Sequence, residues 1–182
     1  YTQAHALECA AAPTQEDKRF DFWDLLVFLE KHLAATPNLN AESGARFNSS
    51  FAALPFRLRI SSLEPGQLDR RALEILSQSK IVCPQLHISL QSGSPAVLKR
   101  MGRGHYNPAS LLEFCAELKK FWPQFGLGAD LLVGFPGETN EEFEETKKLV
   151  QALPFTYAHV FPFSARPGTK AASFPHAVPK PV

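Results

Sequence analysis

What the chain has little of narrows its class first. It carries three cysteines in 182 residues, Cys9, Cys83 and Cys115. They are odd in number and far apart, which excludes a disulfide framework and any pair at metal-ligand spacing. Cys115 falls on the apolar stripe of an expected helix, where a cysteine behaves as a small core residue. Charge of one sign is also missing: 19 basic residues face 18 acidic ones, for a formal charge of +1. No global field therefore draws the chain to nucleic acid or anionic lipid, and any such contact must be local. No apolar run approaches the roughly 18 residues of a membrane span. The first residues lack the basic-then-apolar layout of a secretion signal. The expectation is a soluble, cytoplasmic protein with no membrane contact. With 45% hydrophobic and 20% charged residues, the length suits one buried core.

Residues 1–19 mix Ala, Pro, Gln and charge without periodicity, which predicts an irregular segment. Asp21 is placed to cap a helix running to about Leu33, whose apolar positions Phe22, Leu25, Leu26, Leu29 and Leu33 follow the 3.6 period. Residues 34–55, with Pro37, Gly44 and Asn48, read as a long connection or insertion. The pattern then becomes regular. Strands are expected over 56–61, 86–91, 129–135 and 155–163. Helices are expected over 67–78, from Pro108 through Leu111, Cys115, Leu118 and Trp122, and from a Thr139/Glu142 capping box to about Leu153. From Pro167 onward the chain is too proline-rich for helix or sheet.

This β-α-β-α-β-α-β series implies a parallel sheet with outer helices, an α/β fold. Two strands alternate, placing Arg57, Arg59 and Ser61, and His87, Ser89 and Gln91, on one face. If the apolar face packs on the helices, these polar groups point inward. That predicts an incomplete (β/α) barrel with an open lumen over residues 20–166, followed by a tail over 167–182. A sheet with one wetted face is the other reading.

Candidate ligand groups gather at the expected strand ends. Gln91-Ser92-Gly93-Ser94 and Gly134-Phe135-Pro136-Gly137 are small-residue turns where backbone amides can approach a ligand. Gln91 can both donate and accept, and Arg103 can grip a carboxylate or phosphate with two prongs. Asp130, set in an apolar strand, needs a partner: Arg57 or Arg59, or a ligand. Ser62 and Glu64 fit ribose hydroxyls, or ordinary turn and cap roles. Lys99, Arg100, Arg103, His105 and Lys119 form a local basic region, either a solvated helix face or a phosphate contact. No metal site is expected.

Five stretches carry a family resemblance: Leu58-Arg-Ile-Ser-Ser-Leu-Glu-Pro65, Cys83-Pro-Gln-Leu-His-Ile-Ser-Leu-Gln-Ser-Gly-Ser94, Val97-Leu-Lys-Arg-Met-Gly-Arg103, Asp130-Leu-Leu-Val-Gly-Phe-Pro-Gly-Glu-Thr139 and Phe163-Ser-Ala-Arg-Pro-Gly-Thr169. In order and spacing they resemble the radical S-adenosylmethionine tRNA methylthiotransferases, from about Phe20 to the C-terminus. The Ser-Ser-Leu-Glu-Pro form is most similar to the MtaB branch, which thiomethylates threonylcarbamoyladenosine beside the tRNA anticodon. The MiaB branch, acting on isopentenyladenosine, is the near neighbour. The resemblance implies a radical SAM barrel, S-adenosylmethionine as cofactor and the tRNA anticodon loop as partner. In that family a reduced [4Fe-4S] cluster cleaves the cofactor's sulfonium to give a deoxyadenosyl radical, and a second cluster takes part in sulfur insertion.

The resemblance assigns Ser62 or Glu64 to the ribose, Gln91 with Ser92 to the cofactor's polar edge, Arg103 to its carboxylate and Asp130 to a further polar group. Gly134, Phe135 and Pro136 would line the adenine side. The Cys-x3-Cys-x2-Cys loop that holds such a cluster does not occur among Cys9, Cys83 and Cys115. Nor does anything here correspond to the family's N-terminal domain, first barrel strands or TRAM domain. The expectation is therefore a partial methylthiotransferase, the later two thirds of the barrel, performing no radical chemistry by itself. A non-catalytic SAM- or RNA-binding remnant, and a fragment of another radical SAM enzyme, are the alternatives.

Overall fold

The computed structural model describes residues 20–33 and 57–179. The expected irregular segment 1–19 and the connection 34–55 lie outside the described residues. The element order is α1 (Phe22–Leu33), β1 (Leu58–Leu63), α2 (Arg70–Gln78), β2 (Val82–Gln91), α3 (Pro95–Arg100), α4 (Ser110–Phe121), β3 (Gly126–Val133), α5 (Asn140–Ala152) and β4 (Tyr157–Pro162). Among the described residues, no helix is long and apolar enough to cross a membrane.

The four strands form one parallel sheet in the order β1-β2-β3-β4. Each strand neighbours the next in sequence, and crossovers of the usual single hand then lay every connecting helix on the same side. Burial agrees. Ile60, Leu86, Ile88, Leu90, Leu127, Ala129 and Leu131 share one core with Leu76 of α2, Leu111 and Leu118 of α4, and Leu149 of α5. The expected α/β arrangement of parallel strands and outer helices is present, consistent with part of a radical SAM-type barrel. Arg59 and Ser61 are exposed and Ser89 half-buried on the opposite face.

Local chemistry sets the element ends. The capping box is present: Thr139 Oγ1 accepts from Glu142 N at 3.3 Å, and Glu142 Oε2 accepts from Thr139 N at 3.0 Å. Asp21 Oδ1 accepts from Asp24 N at 2.9 Å, starting α1 as expected. That helix is tied to α2 by Arg71, which reaches both Asp21 and Asp24 at 2.6 Å. Trp23 Nε1 adds a bond to Gln67 O at 3.0 Å.

Several boundaries differ from expectation: β1 runs Leu58–Leu63, β3 Gly126–Val133 and β4 Tyr157–Pro162, rather than 56–61, 129–135 and 155–163. The second helix begins at Arg70, because Pro65–Gln67 closes a 3-10 turn and Asp69 takes the cap, accepting from Ala72 N at 2.9 Å. The helix after Pro108 begins at Ser110, because Asn107 first closes a turn, its Oδ1 accepting from Ala109 N. Strand β2 starts at Val82, through Pro84, which lacks a ladder donor. The sheet absorbs it with a register slip: Leu58 pairs with Val82, but Ile60 with Leu86. Beyond Pro167 the tail makes one 3-10 turn, Lys170–Ser173.

The turn after β2 is seated on α5. Thr146 Oγ1 accepts from Gly93 N at 3.0 Å and shares a 3.0 Å hydrogen bond with the buried Ser92 hydroxyl. A Cβ on Gly93 would stand 2.7 Å from Thr146 Cα, a backbone atom that cannot swing aside. Gly93→Ala is therefore expected to lower the unfolding free energy by about 1–3 kcal/mol through overpacking, measured by urea denaturation.

Candidate functional site

The C-terminal ends of the first three strands define a rim, and the backbone there is strained. Ser62 (φ 60°), Gln91 (φ 62°) and Gly134 (φ 72°) all adopt left-handed conformations. For the two non-glycines this costs on the order of 1 kcal/mol each, a strain that concentrates at ligand sites.

A loop is strapped across this rim. Arg103 Nη1 donates to Glu64 Oε1 at 3.0 Å, and His105 Nε2 lies 3.2 Å from the same oxygen. Tyr106 OH donates to Leu90 O at 3.0 Å, at the end of β2. Burial pushes the Tyr106 phenol up to about 12, so it stays a donor at neutral pH. The loop packs over Gly66, where an added Cβ would make only ordinary contact, 3.5 Å from Tyr106 Cβ. Ser62, Glu64, Gln91 and Arg103 thus belong to one rim. Arg103 gives Glu64 one of its five N–H donors, leaving a fork for a carboxylate.

Other expected site residues have different surroundings. Ser92 has no exposed surface and faces Thr146. The Gly134 and Phe135 amides, expected to meet a ligand, both donate to Glu138 Oε2 of their own loop. Burial raises the Glu138 carboxyl above its usual range against these bonds. The Phe135 ring is buried, edge-on to Phe163 and Phe174 at centroid distances of 5.3 and 6.0 Å. Pro136 is buried beside it, and Gly137 N donates to His176 O at 2.8 Å. The Phe135 ring and the Gly137 amide therefore hold the C-terminal tail against the rim, and of the Gly134–Pro136 wall only Gly134 is partly open.

For Asp130, one of the two expected kinds of partner falls away. Neither arginine reaches it: Arg59 Nε donates to Gln85 Oε1 at 3.0 Å, and Arg57 Nη2 lies 3.4 Å from Val82 O. Its partners are His87 and His159, at 3.2 and 3.1 Å. His159 was not singled out by sequence, yet it stands directly opposite Asp130 in the parallel register. The basic region is also largely paired. Arg100 grips Glu142 with both Nη atoms, and Arg103 and His105 share Glu64. Lys99 and Lys119 are exposed.

The sequence profile of the Radical SAM superfamily matches residues 23–150. The chain belongs to that superfamily. Among curated radical SAM relatives, the threonylcarbamoyladenosine tRNA methylthiotransferase MtaB of Rickettsia prowazekii is 46% identical over 119 residues, 65% of this chain and 28% of that protein. The tRNA-2-methylthio-N(6)-dimethylallyladenosine synthase of Corynebacterium diphtheriae is 42% identical over 126 residues, 69% of this chain and 24% of that protein. MtaB of Thermotoga maritima is 39% identical over 125 residues, 69% of this chain and 29% of that protein. The chain thus spans about a quarter of the length of these relatives, 24–29%.

Radical SAM proteins hold S-adenosylmethionine against a [4Fe-4S] cluster. The rim fits the first, with the Arg103 fork and Glu64 beside the left-handed Ser62 and Gln91. The described cysteines do not fit the second. Cys83 sits near the start of β2, away from the rim, and Cys115 is buried in α4 with its thiol pushed up to about 11 by burial.

The Arg100–Glu142 pair ties α3 to the helix that follows the Gly134–Glu138 loop. The hydrogen bond from Arg100, more than anything else, holds the Glu142 carboxyl below its ordinary value of 4.5. Its stabilisation is full above that ordinary value and is lost as pH falls through the lowered folded one. Glu142→Gln keeps the capping-box acceptor but removes the ion pair. It is expected to cost about 1 kcal/mol at pH 7, with the gap to wild type closing below about pH 4. Thermal denaturation across pH checks this.

Proposed function

We propose that this chain forms the cofactor-holding rim of a radical SAM tRNA methylthiotransferase, of the branch that acts on threonylcarbamoyladenosine next to the anticodon. The supporting observation is the Arg103–Glu64 strap across the ends of β1 and β2, beside the two left-handed polar residues. Arg103 would receive the carboxylate of S-adenosylmethionine through its remaining donors. Glu64 and Ser62 would meet the ribose hydroxyls, and Gln91 the polar edge of the cofactor. Gly134 would offer backbone to the adenine side, with Phe135 and Pro136 buried beneath it to hold that backbone in place.

When bound, S-adenosylmethionine supplies a sulfonium centre whose reductive cleavage the family uses; the protein's share is placement and exclusion of water. Because no described cysteine suits a cluster, no step is drawn through one. We assign the family's iron-sulfur clusters, N-terminal domain and TRAM domain to protein outside these residues, and expect no radical chemistry from this chain by itself. The threonylcarbamoyl branch is favoured by Ser61-Ser62-Leu63-Glu64-Pro65; the relatives fall on both sides of the substrate division.

Calorimetric titration of S-adenosylmethionine tests the rim. Arg103→Ala should weaken binding roughly 30-fold, the about 2 kcal/mol of a charged hydrogen bond; unchanged affinity, or no binding by the folded wild-type chain, overturns the assignment. The substrate is tested by mass spectrometry of tRNA nucleosides from cells with the gene disrupted. Loss of the 2-methylthio group from threonylcarbamoyladenosine alone is expected, and loss from dimethylallyladenosine instead would move the protein to the other branch.

A further inference from the structure

A second cluster lies on the polar face of the sheet, one step inside the rim. Asp130 of β3 and His159 of β4 are register partners, and His87 of β2 stands opposite Gly128 of β3. His87 Nε2 and His159 Nδ1 converge on one oxygen, Asp130 Oδ1, at 3.2 and 3.1 Å. The three ligand atoms all lie within 4.8 Å of one another. The His87 side chain is 10% exposed, Asp130 27% and His159 57%, so the cluster is rooted in the sheet and open on one side.

We propose that His87, Asp130 and His159 bind a single divalent cation of borderline softness, such as Zn2+, through Nε2, Oδ1 and Nδ1. Two imidazoles and a carboxylate are the donor set such cations prefer. Metal–ligand bonds of about 2.0–2.2 Å place neighbouring ligand atoms roughly 3 Å apart, which matches both nitrogen–oxygen separations. Three protein ligands with one open side leave room for water or another small donor.

The surroundings supply the outer support that metal-bound histidines usually have. The Tyr157 hydroxyl lies 2.9 Å from His87 Nδ1. With Nδ1–H donating to that phenol oxygen, the Nε2 lone pair faces Asp130 and the cation. Gly128 makes this possible: a Cβ there would fall 2.2 Å from the Tyr157 ring, so only glycine lets the ring lie across β3. Without metal, His159 Nδ1 shares a hydrogen bond with Asp130 Oδ1 and His87 Nε2 lies 3.2 Å from the same oxygen, and a cation would replace those two contacts without stranding a buried group.

The test uses the tag-free chain stripped with chelator and titrated with Co2+, read by visible d–d absorption, with Zn2+ as competitor. A saturable 1:1 spectrum displaced by Zn2+ is expected. His159→Ala should weaken binding at least 100-fold, and Tyr157→Phe about 10-fold. His159 is exposed, so its variant should fold, and far-UV circular dichroism verifies this. Failure to saturate at 1:1, or equal binding by folded His159→Ala, overturns the site. Either result is independent of the S-adenosylmethionine titration, which reads the rim.

Discussion

The seat of the β2 turn on α5 governs how the rest is arranged. Thr146 accepts a hydrogen bond from the Gly93 amide and shares one with the Ser92 hydroxyl in a junction closed to solvent. That contact fixes the chain directly after Gln91 and so helps to impose its left-handed backbone. It also locates α5, whose first turn carries Glu142 for Arg100 and whose preceding loop carries Glu138 for the Gly134 and Phe135 amides. The ends of β2 and β3 are thereby held as one body, and the Arg103–Glu64 pair adds β1 to it. A site assembled from three strand ends needs such cross-links, because small misplacements of binding groups are expensive.

One-sided helix packing explains why chemistry appears on the other side of the sheet. Strands covered on both faces become apolar throughout. Among the described residues helices cover only one face, and the other keeps Arg59, His87, Asp130 and His159 in their own polar network. All six β4 residues are exposed. This edge strand contributes side chains to the polar face but little to the core.

Much of this was legible in the sequence, and the failures have physical reasons. Asp21, Thr139 and Glu142 announced helix starts because capping is a contact within four residues. The two-residue alternation around Leu86–Gln91 revealed a polar face, since the strand period depends on backbone alone. The partner of Asp130 could not be read: it depends on which β4 residue lies opposite, and an arginine is the commoner guess for an isolated carboxylate. The glycine turns were ambiguous for a related reason. A glycine may be required by a ligand or by a neighbouring helix, and only the coordinates show Thr146 against Gly93. Glu138 was invisible as a rim residue, because its role arises from the loop folding back on its own amides.

That folding back bears on what the pocket can discriminate. In many nucleotide sites, backbone amides at a strand-to-helix turn cradle a phosphate. Here the equivalent place beside Gly134 and Phe135 is filled by the protein's own acidic oxygen. A triphosphate entering would find its cradle taken and would meet repulsion rather than welcome. In the proposed reading, a nucleoside carrying a positive sulfur and no phosphate meets neither obstacle, so the filled turn would favour it over a triphosphate at this place.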